Sequence, residues 1–167
     1  AGPEQAEWTR RLEIELDNLR AAIALALAGG VDPVMAVKFE VALMRFRTLR
    51  GYSREARNNI RAALLLPGVV EPNIARAHAL YVGGALAINQ GDHAEAQTML
   101  TECLAIHRSL QNPREIAAAL TNLATLHSQQ GDLATARQYN EEALGIFREL
   151  GDRVAVLVHE HGDLIAA

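Results

Sequence analysis

Two stretches decide the fold: residues 75–112, ARAHALYVGGALAINQGDHAEAQTMLTECLAIHRSLQN, and residues 115–152, EIAAALTNLATLHSQQGDLATARQYNEEALGIFRELGD. Set one above the other, fourteen of the 38 pairs are identical, among them Ala77/Ala117, Leu80/Leu120, Leu86/Leu126, Gly91/Gly131, Asp92/Asp132, Ala96/Ala136, Leu104/Leu144 and Leu110/Leu150. Self-similarity at a fixed spacing of forty marks stacked copies of one supersecondary unit. The register extends backwards, with Gly51 under Gly91, Glu55 under Glu95, Ala56 under Ala96, Ile60 under Leu100 and Leu64 under Leu104.

Every segment between the breaks reads as helix. Leu12, Leu16, Leu19, Ile23 and Leu27 form one apolar stripe, so 4–28 is expected to be a single long helix ended by Gly29-Gly30. Trp8 is expected to pack on a neighbouring helix. Asp32-Pro33 opens the next helix, about 33–49, and Gly51 stops it. Ser53 is the expected cap of a helix over about 54–66. Further helices follow at about 73–90, 93–110, 113–130 and 133–150, and an eighth starts near Arg153. The expected domains are 1–31, an N-terminal helix, and 32–167, an array with units at about 33–70, 73–112, 113–152 and a truncated 153–167. The fold class is all-α, a right-handed solenoid of helical hairpins with roughly eight helices.

Small residues recur along the second helices, as in Ala56-Ile60-Ala63, Ala96-Leu100-Cys103 and Ala136-Asn140-Ala143. First helices carry Leu80-Gly84 and Leu120-Ala124. This pattern resembles the tetratricopeptide repeat, each helix lengthened by about one turn as in kinesin light chains. Two departures stand out: Asn140 replaces a bulky apolar residue, and Glu40 and Met44 occupy the first unit's Leu and small-residue places. The run Leu12-Glu13-Ile14-Glu15-Leu16-Asp17-Asn18-Leu19-Arg20-Ala21-Ala22 and the strings Gln90-Gly91-Asp92 and Phe147-Arg148-Glu149-Leu150-Gly151-Asp152-Arg153 resemble bacterial multidomain signal-transduction ATPases, including LuxR/AfsR-type transcriptional regulators. The resemblance implies a sensor or protein-binding arc beside a nucleotide-binding domain, and both chain ends read as cut from something longer. No Gly-x-x-x-x-Gly-Lys-Ser/Thr loop occurs, so ATP binding through a P-loop is not expected of this segment.

The net charge of −4 comes from interspersed charges, with no basic patch to suggest nucleic acid. A single cysteine, Cys103, rules out an internal disulfide and fits a reducing cytoplasm. No apolar run reaches membrane-spanning length. His159-x-His161 beside Asp163 invites a metal reading, but rings two residues apart on a helix diverge, so neither metal nor cofactor is expected. No Ser/His/Asp or Cys/His arrangement supports catalysis.

If first helices line a concave face, the binding residues are Lys38, Val41, Arg45 and Thr48 from one unit. The next unit adds His78, Tyr81, Ala85, Ile88 and Asn89. The third adds Ala118, Thr121, Asn122, Thr125, Ser128 and Gln129. The expected partner is a protein segment, a peptide or a small effector, together with other domains of the parent chain. Tyr81 and Arg45 are the residue types that concentrate interface energy. The alternative is self-association as a homodimer through the last helix, whose Val154, Leu157, Val158, Leu164 and Ile165 have no following helix to cover them.

Overall fold

A computed structural model describes residues 3–156, with side chains from residue 7 onward. Eight helices follow one another: α1 (Pro3–Ile14), α2 (Leu16–Leu27), α3 (Val34–Arg50), α4 (Ser53–Ala63), α5 (Ile74–Asn89), α6 (His93–Ser109), α7 (Pro113–Gln129) and α8 (Leu133–Glu149). Residues 153–156 begin a further helical turn, and no strand occurs among the described residues. The chain forms two compact units, one up to Leu86 and one from Ala87 onward.

The turns show how the repeat is written into the backbone. Gly91, Gly131 and Gly151 sit in the left-handed region at φ 73, 81 and 68°, and Gln111 takes the same place at 54°. In each case the next residue's N–H returns to a carbonyl five back: Asp92 to Ala87, Asn112 to His107, Asp132 to His127 and Asp152 to Phe147, at 2.9–3.1 Å. Gly51 closes α3 identically, with Tyr52 N–H donating to Arg47. This is the Schellman closure, and it recurs every twenty residues except near residue 71. There the segment after α4 is longer. Buried Val69 plugs the core beneath it, and Asn73 both donates to the Gly68 carbonyl and accepts from Arg76 N–H to start α5.

Asp92 and Asp132 then cap α6 and α8 with the same backbone angles (φ −86, ψ 74° and φ −83, ψ 72°) and the same bond, accepting from Glu95 N–H and Thr135 N–H. A side-chain oxygen there satisfies one of the donors a helix start leaves open. Gly-Asp is therefore the physical content of the repeat boundary.

In the first unit, one buried cluster joins α3, α4 and α5 through Ala36, Val37, Ala56, Ile60, Ala63, Ala79, Val82 and Leu86, with Ala26 of α2. A second, Leu16, Ile23, Leu43 and Phe46, seats α2 on α3. In the second unit α7 packs on both α6 and α8, burying Ala117, Leu120, Leu123, Ala124 and Leu126.

Three expectations need correction. The N-terminal helix is two helices, bent at Glu15 (φ −88, ψ 1°). No Gly or Pro causes this. The bend falls where packing begins, between Ile14, 65% exposed, and buried Leu16. Trp8 lies before that bend and is mostly exposed rather than packed away: it is 62% exposed, with the Arg11 guanidinium 5.2 Å from its ring centre. Ser53 is the first residue of α4 rather than its cap. Tyr52 takes the cap place and lends no side-chain bond.

Candidate functional site

In the first unit, α3 turns Glu40, Leu43, Phe46 and Arg47 inward, leaving Lys38, Val41, Arg45 and Thr48 on the outer face. The Thr48 hydroxyl donates to the Met44 carbonyl at 2.9 Å. On α5, His78, Tyr81 and Ala85 are half-buried, and the Tyr81 ring packs against the core cluster rather than standing clear of it. Arg45 is fully on the surface.

In the second unit, Ile88 is buried and offers no surface, while Asn89 is exposed. The α7 face is uncharged. The Thr121 hydroxyl donates to the Ala117 carbonyl and that of Thr125 to the Thr121 carbonyl, at 2.9 and 3.0 Å, and exposed Thr125 keeps lone pairs available to an incoming N–H. Thr125, Ser128 and Gln129 are exposed, and Ala118 and Asn122 are half-buried. The Asn122 amide nitrogen is sealed from solvent without a hydrogen-bond partner. Val154 is exposed. Leu157, Val158, His159, His161, Asp163, Leu164 and Ile165 lie outside the described residues.

Sequence reasoning missed the strongest polar feature, which lies inside the first hairpin. Glu40 is buried in the place of Leu120, and it accepts from the Arg47 Nη2 at 3.0 Å and from the Asn59 amide at 2.7 Å. Arg47 is wholly buried. Its Nε lies 2.9 Å from Glu40 and its Nη1 3.2 Å from Glu55, both at ion-pair distance without hydrogen-bond alignment. Glu55 in turn accepts two bonds from Arg20 of α2, at 3.0 and 2.8 Å. Burial pushes the Glu40 carboxyl above its ordinary range, against the pull of Asn59 and Arg47. Glu55 is held low, first by Arg20. The signal was available: Glu40, Arg47 and Asn59 depart together from Leu120, His127 and Tyr139, eighty residues on.

Cys103 is buried, and burial with the nearby charges of Glu115 and Glu102 pushes its thiol up to about 12, which leaves no nucleophile at neutral pH. His127 sits with Nδ1 3.2 Å from Asp132 and its ring 5.5 Å from Tyr139, a packed structural arrangement.

The tetratricopeptide-repeat family profile matches residues 75–149. This stretch is a tetratricopeptide repeat region. The surrounding chain is similar to the Regulatory protein AfsR of Streptomyces griseus, 29% identical over 128 residues. The match takes in 77% of this chain and 13% of that protein, so the chain spans only a small part of the relative's length. Within the repeat region, the α7 threonine hydroxyls bond to the helix's own carbonyls, and its buried residues are Ala117, Ala119, Leu120, Leu123, Ala124 and Leu126.

Proposed function

We propose that this chain is a non-catalytic interaction scaffold within a larger regulatory ATPase, and that its first-helix faces take up a protein segment or a small effector. The observation that carries the reading is the α7 face: uncharged, exposed over Thr125, Ser128 and Gln129, and held rigid by the packing of α7 between two helices. Such a row suits the backbone of an extended peptide, whose N–H groups meet the oxygens of Thr125, Ser128 and Gln129 at little ordering cost. Taken by itself, the α3 face of the first unit carries Lys38 and Arg45, a positive charge suited to an acidic segment. The similarity to AfsR supports the regulatory setting. In a parent ATPase, binding would change output to the extent that the partner prefers one of its states.

The test is peptide-display panning on the intact 167-residue chain, followed by titration of an enriched peptide. Thr125→Arg should weaken binding about ten-fold, and Gln138→Arg, on the exposed side of α8, should leave it unchanged. Equal affinity in all three, or no enrichment, defeats the reading.

Self-association is the second reading, favoured by Val154, 72% exposed beside half-exposed Leu150. Sedimentation of the chain and of Val154→Glu checks it: a concentration-dependent dimer lost in the variant supports it, and a monomer in both rejects it.

A further inference from the structure

The run around Asp17-Asn18-Leu19-Arg20 stands out in the sequence, yet nothing on the first-helix faces uses it. Its side chains go elsewhere. Leu19 joins the apolar cluster that seats α2 on α3. Asn18 donates to Glu15 on its own helix turn at 2.7 Å. Arg20 is engaged on every side: Asp17 at 3.2 Å, both oxygens of Glu55 on α4, and the Tyr52 ring at 5.4 Å.

Glu55 also faces Arg47, and Arg47 faces Glu40. A chain of alternating charges thus runs from α2, through α4, into the centre of the α3–α4 hairpin. Along this chain Arg47 lies between two carboxylates, Glu40 and Glu55, and Arg20 brings a second guanidinium to Glu55, while Arg57 of α4 is a further buried cation of the hairpin. Low-dielectric surroundings screen charges poorly, so removing Arg20 from Glu55 alters the field at Arg47 and Glu40.

We propose that Arg20 is a coupling residue: docking of α2 completes the charge chain of the first hairpin, so that displacement of the N-terminal helix is felt at Glu40 in the hairpin's interior. The inference stands apart from what the first-helix faces bind. It gives the segment that enters the repeats a physical means of reporting its position to the first of them. A fork geometry is required, since a lysine carries the charge but cannot span both Glu55 oxygens.

The experiment is a double-mutant cycle in urea unfolding of the full chain, pairing Arg20→Gln with Glu40→Gln. The link between these residues runs through Glu55 and Arg47. The expected result is an unfolding constant for the double variant that departs at least about three-fold from the product of the single effects. Arg50→Gln is the control. It removes another cross-helix pair, Arg50–Glu13 at 3.0 Å, with similar exposure and no tie to Arg47. It should combine with Glu40→Gln additively. Additivity for Arg20 as well would overturn the proposal. Arg20→Lys should recover only part of the coupling, and full recovery would show that charge without the fork suffices, which also overturns it. If the double variant does not fold, hydrogen exchange on the unaltered chain decides. Rising NaCl screens the half-exposed Arg20–Glu55 pair, and exchange should quicken together over 16–27 and 40–47. Quickening confined to 16–27 would mean that Arg20 is a local staple.

Discussion

The α3–α4 and α7–α8 hairpins are the same construction with different interiors. Ala56 and Ala136, Ala63 and Ala143, and Gly51 and Gly131 match in place and burial class or φ. Yet where α7–α8 holds Leu120, His127 and Tyr139, α3–α4 holds Glu40, Arg47 and Asn59. The positions meet in both: His127 lies against Tyr139, while Arg47 and Asn59 both bond Glu40. The hairpin thus needs a filled and satisfied centre, and an apolar residue there is one solution of two. The polar solution draws on a neighbour, since Arg20 of α2 bonds Glu55.

The sharpest break of this comparison is Glu40→Leu. It leaves Arg47 wholly buried with its main counter-charge gone and should cost about 3–5 kcal/mol in urea unfolding. Combining Glu40→Leu with Arg47→His and Asn59→Tyr writes the second hairpin's centre into the first and should regain most of that loss. Continued instability of the triple variant would mean that the two hairpins are not interchangeable inside.

Acid sharpens the same contrast. Glu55 is held below its ordinary value of 4.5, so its contribution is complete above that value and is lost as pH falls through the lowered one. Glu40 is raised, so its ionised form is a cost that sets in as pH climbs from 4.5 through the raised value. Polar groups around the pair include Asp17, Arg20, Arg47 and Asn59. On acidification Glu40 takes up its proton first, which offsets part of the loss until Glu55 follows. In Glu55→Gln the steep fall below about pH 4.5 should flatten, and in Glu40→Gln the offset above it should vanish, both read as urea midpoints against pH. Unchanged profiles would separate these carboxyls from acid stability.

How much of this was legible in the sequence follows from what repeats and what does not. The helices, their Gly-Asp boundaries and the small-residue positions recur, so the forty-residue comparison exposes them. The bend at Glu15 recurs nowhere and has no breaker residue, and it depends on where α3 lies. Leu16 and Ile23 are buried at the places of Ala136 and Ala143, because α2 fills against α3 a space that small residues keep clear in a full hairpin. The face residues were placed by periodicity alone. Lys38, Arg45, Thr125, Ser128 and Gln129 are exposed, whereas Ile88, which periodicity put on the surface, is buried. The charge chain was half legible: Glu40 was visible as an anomaly, but its partners Arg47 and Asn59 sit seven and nineteen residues on, and Glu55 joins only through Arg47 and Arg20.

Gln111 gives a smaller test. It holds the left-handed closing position that Gly131 holds twenty residues later, at φ 54°. A side chain in that region costs about 1–2 kcal/mol, part of which glycine gives back through the unfolded chain. Gln111→Gly should therefore stabilise by about 0.5–1 kcal/mol, and Gly131→Ala should destabilise by a similar amount. A Cβ at Gly131 meets nothing within 4 Å, so the cost there is the backbone's own. Opposite shifts in thermal midpoint check the pair, and shifts of the same sign would mean that the two turns differ in more than the closing residue.

The least effect belongs to a short but exposed ion pair. Arg108 of α6 reaches Glu142 of α8 at 2.6 Å, closer than Arg47 to Glu40, yet both side chains are about half exposed. Water competes for each group, two long side chains must be ordered to meet, and salt screens what remains. A double-mutant cycle on Arg108→Ala and Glu142→Ala should give a coupling of about 0.2–1 kcal/mol that fades in about 1 M salt. The same cycle on Arg47 and Glu40 should give several times more and resist salt, because there the partner left behind has no solvent to turn to. If the two couplings came out equal, distance rather than burial would set the worth of a charge pair here, and the distinction between the two hairpins would lose its energetic meaning.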